Sequence, residues 1–288
     1  AATSAAPAPE DHCMVKAYFR PKNAQEALKL LAQEENAVLF AGGTYLMTSQ
    51  FADSPMTAIA ITGLVPKAIE RHGDKIIIGA GATFQEIVDS EELPLALRNA
   101  ALAMADRNVR NRATIGGNIG ANKSCSSLIP LLLVAEARYS RVGAPAILAS
   151  EWEAAAAAAS TAERGFIAAM EFEAPPSRRF AYGRYARTSC DVSVLTCAVS
   201  AELVAANHGG PSLRGLRIAM GGLSPHARRF PEIEKLFEAS SLPAKAEIEA
   251  AAAPLFSPKS DVRGSADFKR LRAAALLADV LASLEAQP

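Results

Sequence analysis

A chain of 288 residues, half of them hydrophobic, can bury a sizeable core and is long enough for two domains, or for one with an appended lobe. Its 30 basic residues balance 30 acidic ones, so no global field recommends nucleic acid or an anionic membrane surface as a partner. The longest strongly apolar stretch, residues 128–135, falls far short of the roughly 20 residues that cross a bilayer, which argues against a membrane span.

The small, uncharged and proline-containing start reads as a flexible tail over residues 1–12. Four cysteines, Cys13, Cys125, Cys190 and Cys197, contain no C-x-x-C pair, so neither a disulfide scaffold nor an iron–sulfur site is expected, and a reduced cytoplasmic protein is. Ala24, Ala27, Leu28 and Leu31 fall at helical spacing, and Asn23 followed by Glu26 offers a capping box; the pattern predicts a helix over 21–35. An apolar strand-like run from Val38 then stops at Gly42 and Gly43. Short buried strands are predicted at 58–61 and 75–80, and a helix opened by the Thr83/Glu86 capping box. Another helix is expected at 95–104. A charged segment, 106–112, then carries the chain into a second glycine run, Ala113-Thr-Ile-Gly-Gly-Asn-Ile-Gly120, placed between helices rather than inside one.

Ser126 and Ser127 are candidate caps for a helix carrying Ile129, Leu132, Leu133 and Glu136. After an Ala-rich surface helix, strands are predicted at 166–172 and 179–185, separated by Ala174-Pro-Pro-Ser177, and the domain break is placed near Pro175. The rest mixes strands (194–201, 216–220) with helices (231–238, 245–252, 267–284). The expected fold class is α+β: residues 13–174 form one domain of two α/β lobes parted near residue 58, and 175–288 a small C-terminal α+β domain.

Paired glycines let successive backbone N–H groups turn toward one anion with no side chain in the way, and two such runs point to a diphosphate ligand. Neither run completes a G-x-x-x-x-G-K-[ST] loop or a G-x-G-x-x-G opening into a helix, so a nucleotide triphosphatase and a Rossmann fold are not indicated. His12, His72, His208 and His226 are scattered, which leaves no expected metal site. No nucleophile with a partnering base stands out, so no catalytic side chain is assigned. Cys190 and Cys197 read as small buried hydrophobes. If the chain is catalytic, a cofactor carries the chemistry.

Four motifs in this order resemble the FAD-binding subunit or domain of the xanthine dehydrogenase, aldehyde oxidase and carbon monoxide dehydrogenase family of molybdenum hydroxylases. They are Phe19-Arg-Pro21 with Ala24, Ala27 and Leu28; the two glycine runs; Arg187 with Asp191; and Asp261-Val-Arg-Gly-Ser265 leading into Phe268-Lys-Arg270. The resemblance covers nearly the whole chain and is strongest to stand-alone bacterial FAD subunits. It implies a two-lobed FAD-binding domain of the vanillyl-alcohol-oxidase type followed by a smaller C-terminal domain. It maps FAD contacts onto Leu39, Phe40, Ala41, Gly42, Gly43, Thr44, Tyr45 and Leu46, and onto Val109, Ala113, Thr114, Gly117, Asn118 and Gly120. Ile167 is a further apolar candidate.

Ser127 stands where the family often has an acid that meets the sugar or adenine side of the nucleotide. Gly183 stands where it often has a lysine, and Arg184 is the candidate substitute cation. No inserted cysteine cluster is present. The resemblance implies an electron-transfer subunit that works with an iron–sulfur subunit and a molybdopterin-binding subunit and passes electrons to NAD or another acceptor. The two altered positions leave open a flavin-free relative that only scaffolds the complex.

Overall fold

The computed structural model describes residues 14–204, 212–238 and 243–285. The expected tail, Cys13, His12 and His208 lie outside them. The chain opens with β1 (Val15–Phe19), α1 (Ala24–Gln33), β2 (Ala37–Phe40) and β3 (Met56–Ala60), which form a three-stranded parallel sheet with β3 central. α1 begins as its sequence dictates: Asn23 Oδ1 accepts from Glu26 N at 2.9 Å. β3 is buried at every residue, as a central parallel strand covered on both faces should be. Ala58 pairs with Tyr18 on one side and Val38 on the other. The chain passes to the next sheet after it, over 61–68, a few residues beyond the parting expected near residue 58.

The second sheet is antiparallel. It is built from β4 (Ile69–His72), β5 (Lys75–Gly79), β6 (Arg138–Val142), β7 (Ile147–Leu148) and β8 (Phe166–Glu173), in the order β4-β5-β8-β6-β7. Between β5 and β6 come five helices: α2 (Phe84–Asp89), α3 (Leu95–Leu102), α4 (Arg107–Arg110), α5 (Ile115–Ala121) and α6 (Ile129–Val134). The Thr83/Glu86 capping box opens α2 with both of its bonds formed. α6 is buried throughout, which accounts for the apolar stretch at 128–135 as core. Its expected serine cap is weak: Ser126 Oγ stands 3.5 Å from Ile129 N and instead donates to Asn118 Oδ1 at 2.5 Å. α7 (Trp152–Ala158) and α8 (Thr161–Arg164) precede β8.

The chain leaves the second sheet at Glu173 and enters a third at Arg178, with a turn closed by Arg178 N donating to Pro175 O at 2.9 Å. The third sheet, β9 (Arg178–Tyr185), β10 (Leu195–Val204), β11 (Ser212–Gly221) and β12 (Arg228–Arg229), is antiparallel in the order β12-β11-β10-β9. Helices α9 (Pro231–Phe237), α10 (Lys245–Ala252) and α11 (Ala266–Glu285) follow. The apolar packing separates likewise. One buried cluster runs from Ala27 to Phe180 and gains Ala198 and Ala219 from the third sheet and Ala227 from the connection between β11 and β12; the other lies entirely within residues 181–284. An ion network joins the two: Glu136, just past α6, pairs with Arg217 and Arg229, and Arg229 with the buried Glu234. No helix among the described residues is long and apolar enough to cross a membrane.

Candidate functional site

A cleft of about 1110 Å3 opens where the three sheets meet, at the upper end of the sizes of small-molecule sites. β2 delivers the first glycine run to it. Gly43 has φ +72°, a left-handed conformation that suits glycine, and a Cβ there would stand 2.6 Å from the Phe40 ring. Phe40 itself packs edge-on against Tyr18 (5.9 Å between centroids) and supports the loop from beneath rather than lining the cleft. Leu39, Ala41, Gly42, Gly43, Thr44, Tyr45 and Leu46 all line it. The amides of Gly42 to Leu46 donate to no protein acceptor among the described residues, while the loop is closed behind them by Met47 N donating to Gly43 O at 3.0 Å. Five consecutive free N–H groups beside a large cleft form a concavity for an anion.

The second glycine run is not a loop between helices, as its composition led us to expect, but the helix α5 itself. Three contacts override the poor helix propensity of its glycines. Thr114 Oγ1 accepts from Gly117 N at 3.1 Å, Ile115 N donates to Ala82 O and Gly116 N to Ala80 O, each at 2.9 Å. The first-turn amides of α5 are thus engaged by the protein, so the second run contributes surface and side chains rather than a second amide cradle. A Cβ at Gly116 would meet Ala80 at 2.8 Å, whereas one at Gly120 would meet nothing within 4 Å. Val109, Ala113, Thr114, Gly117, Asn118 and Gly120 face the cleft. The two runs touch: a Cβ at Gly42 would fall 1.8 Å from Arg112 O, and Arg112 Nε donates to Gly42 O at 3.2 Å.

Ser127 and Ile167 also line the cleft, each 5% exposed. Ser127 faces the Tyr182 hydroxyl without closing a hydrogen bond; that hydroxyl is buried and unpaired, and burial pushes its pKa up. Arg184 lines the cleft with its guanidinium engaged by the carbonyls of Ala103, Thr188 (2.9 Å) and Ser189 (2.7 Å). Gly183, by contrast, points away. A Cβ there would strike Val280 at 2.6 Å and Leu276 at 3.0 Å on α11, so this position could not present a cation to the cleft. The alternation of side chains along β9 leaves that task to Arg184.

Several lining residues were not foreseen from the sequence, most of them from distant segments. Lys123 follows α5, with its ammonium 4.4 Å from the centroid of the Tyr45 ring. Arg164 lies over Trp152 and donates to Ala156 O and Thr161 Oγ1, and burial lowers its pKa. Cys190 is exposed at the cleft, not buried as expected, because it sits in the loop between β9 and β10; Cys197, inside β10, is fully buried. The motif at 261–265 reaches the cleft through Asp261, Val262 and Arg263. Asp261 accepts from Arg263 Nη2 at 2.8 Å and pairs with the buried Lys269 at 2.7 Å. Partial burial works to raise its pKa, but the hydrogen bonds from Lys269 and Arg263 overcome it and hold the carboxyl well below the usual range.

Two family models match the chain. One describes the FAD binding domain in molybdopterin dehydrogenase, over residues 13–152, and the other the CO dehydrogenase flavoprotein C-terminal domain, over 180–284. The chain is 29% identical over 273 residues to the Escherichia coli protein YgfM, covering 94% of this chain and 97% of that one. It is 28% identical to the nicotine 6-hydroxylase medium subunit of Paenarthrobacter nicotinovorans, covering 88% and 91%. Among solved structures it superposes on a chain of carbon monoxide dehydrogenase from Hydrogenophaga pseudoflava with a TM-score of 0.79 at 26% identity, covering 94% and 97%. With both of its domains matched in order, the chain belongs to the FAD-binding medium subunits of the xanthine dehydrogenase and carbon monoxide dehydrogenase family, oxidoreductase subunits whose cofactor is FAD.

Proposed function

We propose that this chain is the flavin-carrying, electron-transferring subunit of a heteromeric molybdenum hydroxylase, and that its cleft seats FAD with the pyrophosphate over Gly42 to Leu46. The observation that carries this reading is the row of five free amides on a loop where side chains are excluded: a Cβ at Gly42 or Gly43 would collide with Arg112 or Phe40. Such a cradle binds a diphosphate through neutral donors held in place before the ligand arrives. Thr44, Thr114 and Asn118 add side-chain polar groups, and Ile167 and Val109 apolar surface. Ser127 provides a neutral hydroxyl rather than an acid.

The mixed parallel and antiparallel lobes that flank the cleft accord with the two-lobed vanillyl-alcohol-oxidase arrangement, with the third sheet and its helices as the C-terminal domain. When bound, FAD supplies the redox chemistry, taking electrons from an iron–sulfur partner chain of a complex that includes a molybdopterin-binding chain, and yielding them to NAD or another acceptor. The chain's own task is to bind, orient and shield. No side chain in the cleft needs to act as a general acid or base. The three described cysteines are free, which accords with a reducing compartment.

The test is the visible absorption of the purified chain, before and after reconstitution with FAD, beside that of Gly43→Val. The reading expects about one flavin per chain for the unaltered protein and loss of flavin for the variant with its circular dichroism spectrum intact. Colourless protein that takes up no FAD would instead support a flavin-free scaffold.

A further inference from the structure

Five neutral amides can satisfy the oxygens of a diphosphate but cannot balance its two negative charges, so a cation should stand beside the loop. Four cationic side chains line the cleft: Lys123, Arg164, Arg184 and Arg263. Three of them are engaged. Arg184 donates to three carbonyls, Arg164 through both terminal nitrogens to Ala156 O and Thr161 Oγ1 with only its buried Nε unpaired, and Arg263 is paired with Asp261. Arg112, which holds Gly42 O, does not line the cleft.

Lys123 is the exception. Its ammonium has no carboxylate or carbonyl partner among the described residues, where it rests instead over the Tyr45 ring, 4.4 Å from the centroid. Tyr45 is itself a member of the amide cradle, and its ring is fixed edge-on by Phe51 at 5.1 Å between centroids. The contact therefore holds three unused N–H donors within a side chain's reach of the five unused amides. The α5 helix sets this position: its C-cap, Asn122, takes the left-handed conformation (φ 44°) and turns the chain so that Lys123 faces back toward the loop.

We infer that Lys123 is a phosphate-binding residue of this site, whose ammonium moves from the Tyr45 face onto the diphosphate when the ligand enters. This rests on the FAD reading of the cleft. It assigns a role in charge neutralisation to Lys123, and makes Tyr45 the resting place of the ammonium in the ligand-free protein. Lysine suits that exchange because its ammonium is a point charge on a flexible stem, free to change partners without the fixed fork geometry of arginine.

The experiment titrates the full chain, stripped of flavin, with FAD and separately with riboflavin, which has no phosphate, at low and moderate salt. Lys123→Met keeps the aliphatic stem and removes the charge. The inference expects the variant to bind FAD about fivefold more weakly, as for a partly solvated charge contact. Its FAD affinity should also depend less on salt, riboflavin affinity should be unchanged, and Lys123→Arg should recover most of the loss. Lys123 is exposed, so both variants are expected to melt within about 1 °C of the parent. Unchanged FAD affinity in Lys123→Met would overturn the inference. So would an equal loss for riboflavin, which would mark Lys123 as a packing support for Tyr45. If the unaltered chain binds no FAD, the flavin reading itself falls and Lys123 falls with it.

Discussion

Gly42 lies so close to Arg112 that a single added carbon on it would stand 1.8 Å from the Arg112 carbonyl oxygen. The obstacle is backbone, which cannot swing aside as the end of a flexible side chain could. Gly42→Ala should therefore separate the two glycine runs, lowering stability by about 1–3 kcal/mol as overpacking does. It should also weaken FAD binding. Thermal melts and flavin titration of the same preparation check both effects.

Gly120 offers the opposite case, since a Cβ there meets nothing within 4 Å and the residue lies inside α5. Gly120→Ala should stabilise the flavin-free chain by roughly 0.5–1 kcal/mol through helix propensity alone. Because Gly120 lines the cleft, the same methyl group should reduce flavin affinity. A melt that rises while FAD affinity falls identifies a glycine kept for the ligand and not for the fold.

Gly183 is expected to resist replacement by a cation. Gly183→Lys would drive its Cβ into Val280 and Leu276, inside the core of the C-terminal domain. The variant should lose about 1–3 kcal/mol or more and should not bind flavin more tightly. A stable variant with raised FAD affinity would show that the position faces the cleft after all.

Asp261 links the cleft-lining turn to α11 through Arg263 and the buried Lys269. Asp261→Asn leaves the buried Lys269 with neutral acceptors only and no counter-charge, and should cost about 1–3 kcal/mol, below the range for fully buried pairs because Asp261 is a third exposed. Its folded-state pKa is depressed, so the stabilisation is fully present above the ordinary carboxylate range near pH 4. It is lost as pH falls through the lower folded value. Parent and variant should thus differ most in urea midpoint at neutral pH and converge in strong acid.

Much of the scaffold could be read locally, because capping and burial patterns are local properties. Asn23 with Glu26 and Thr83 with Glu86 announced α1 and α2, and the helical spacing of Ile129, Leu132 and Leu133 announced α6. α5 could not be read that way. Its glycines disfavour a helix, and the bonds that impose one come from Ala80 and Ala82, more than thirty residues away. The same holds for the cleft. Motifs within one segment pointed to the glycine runs, but Arg164, Cys190 and Asp261 to Arg263 reach the cleft only because three sheets converge there, and Lys123 because the left-handed Asn122 turns it back toward the loop. The orientation of Gly183 was hidden for a related reason: which face of β9 meets α11 is decided by packing across the C-terminal domain.

The most direct test of the amide cradle is an experimental structure of the chain with FAD bound. The account predicts pyrophosphate oxygens within about 3.2 Å of several amide nitrogens from Gly42 to Leu46, the hydrogen-bonding range for N–H donors. A pyrophosphate seated elsewhere, with those amides still unpaired or bridged only by water, would contradict it.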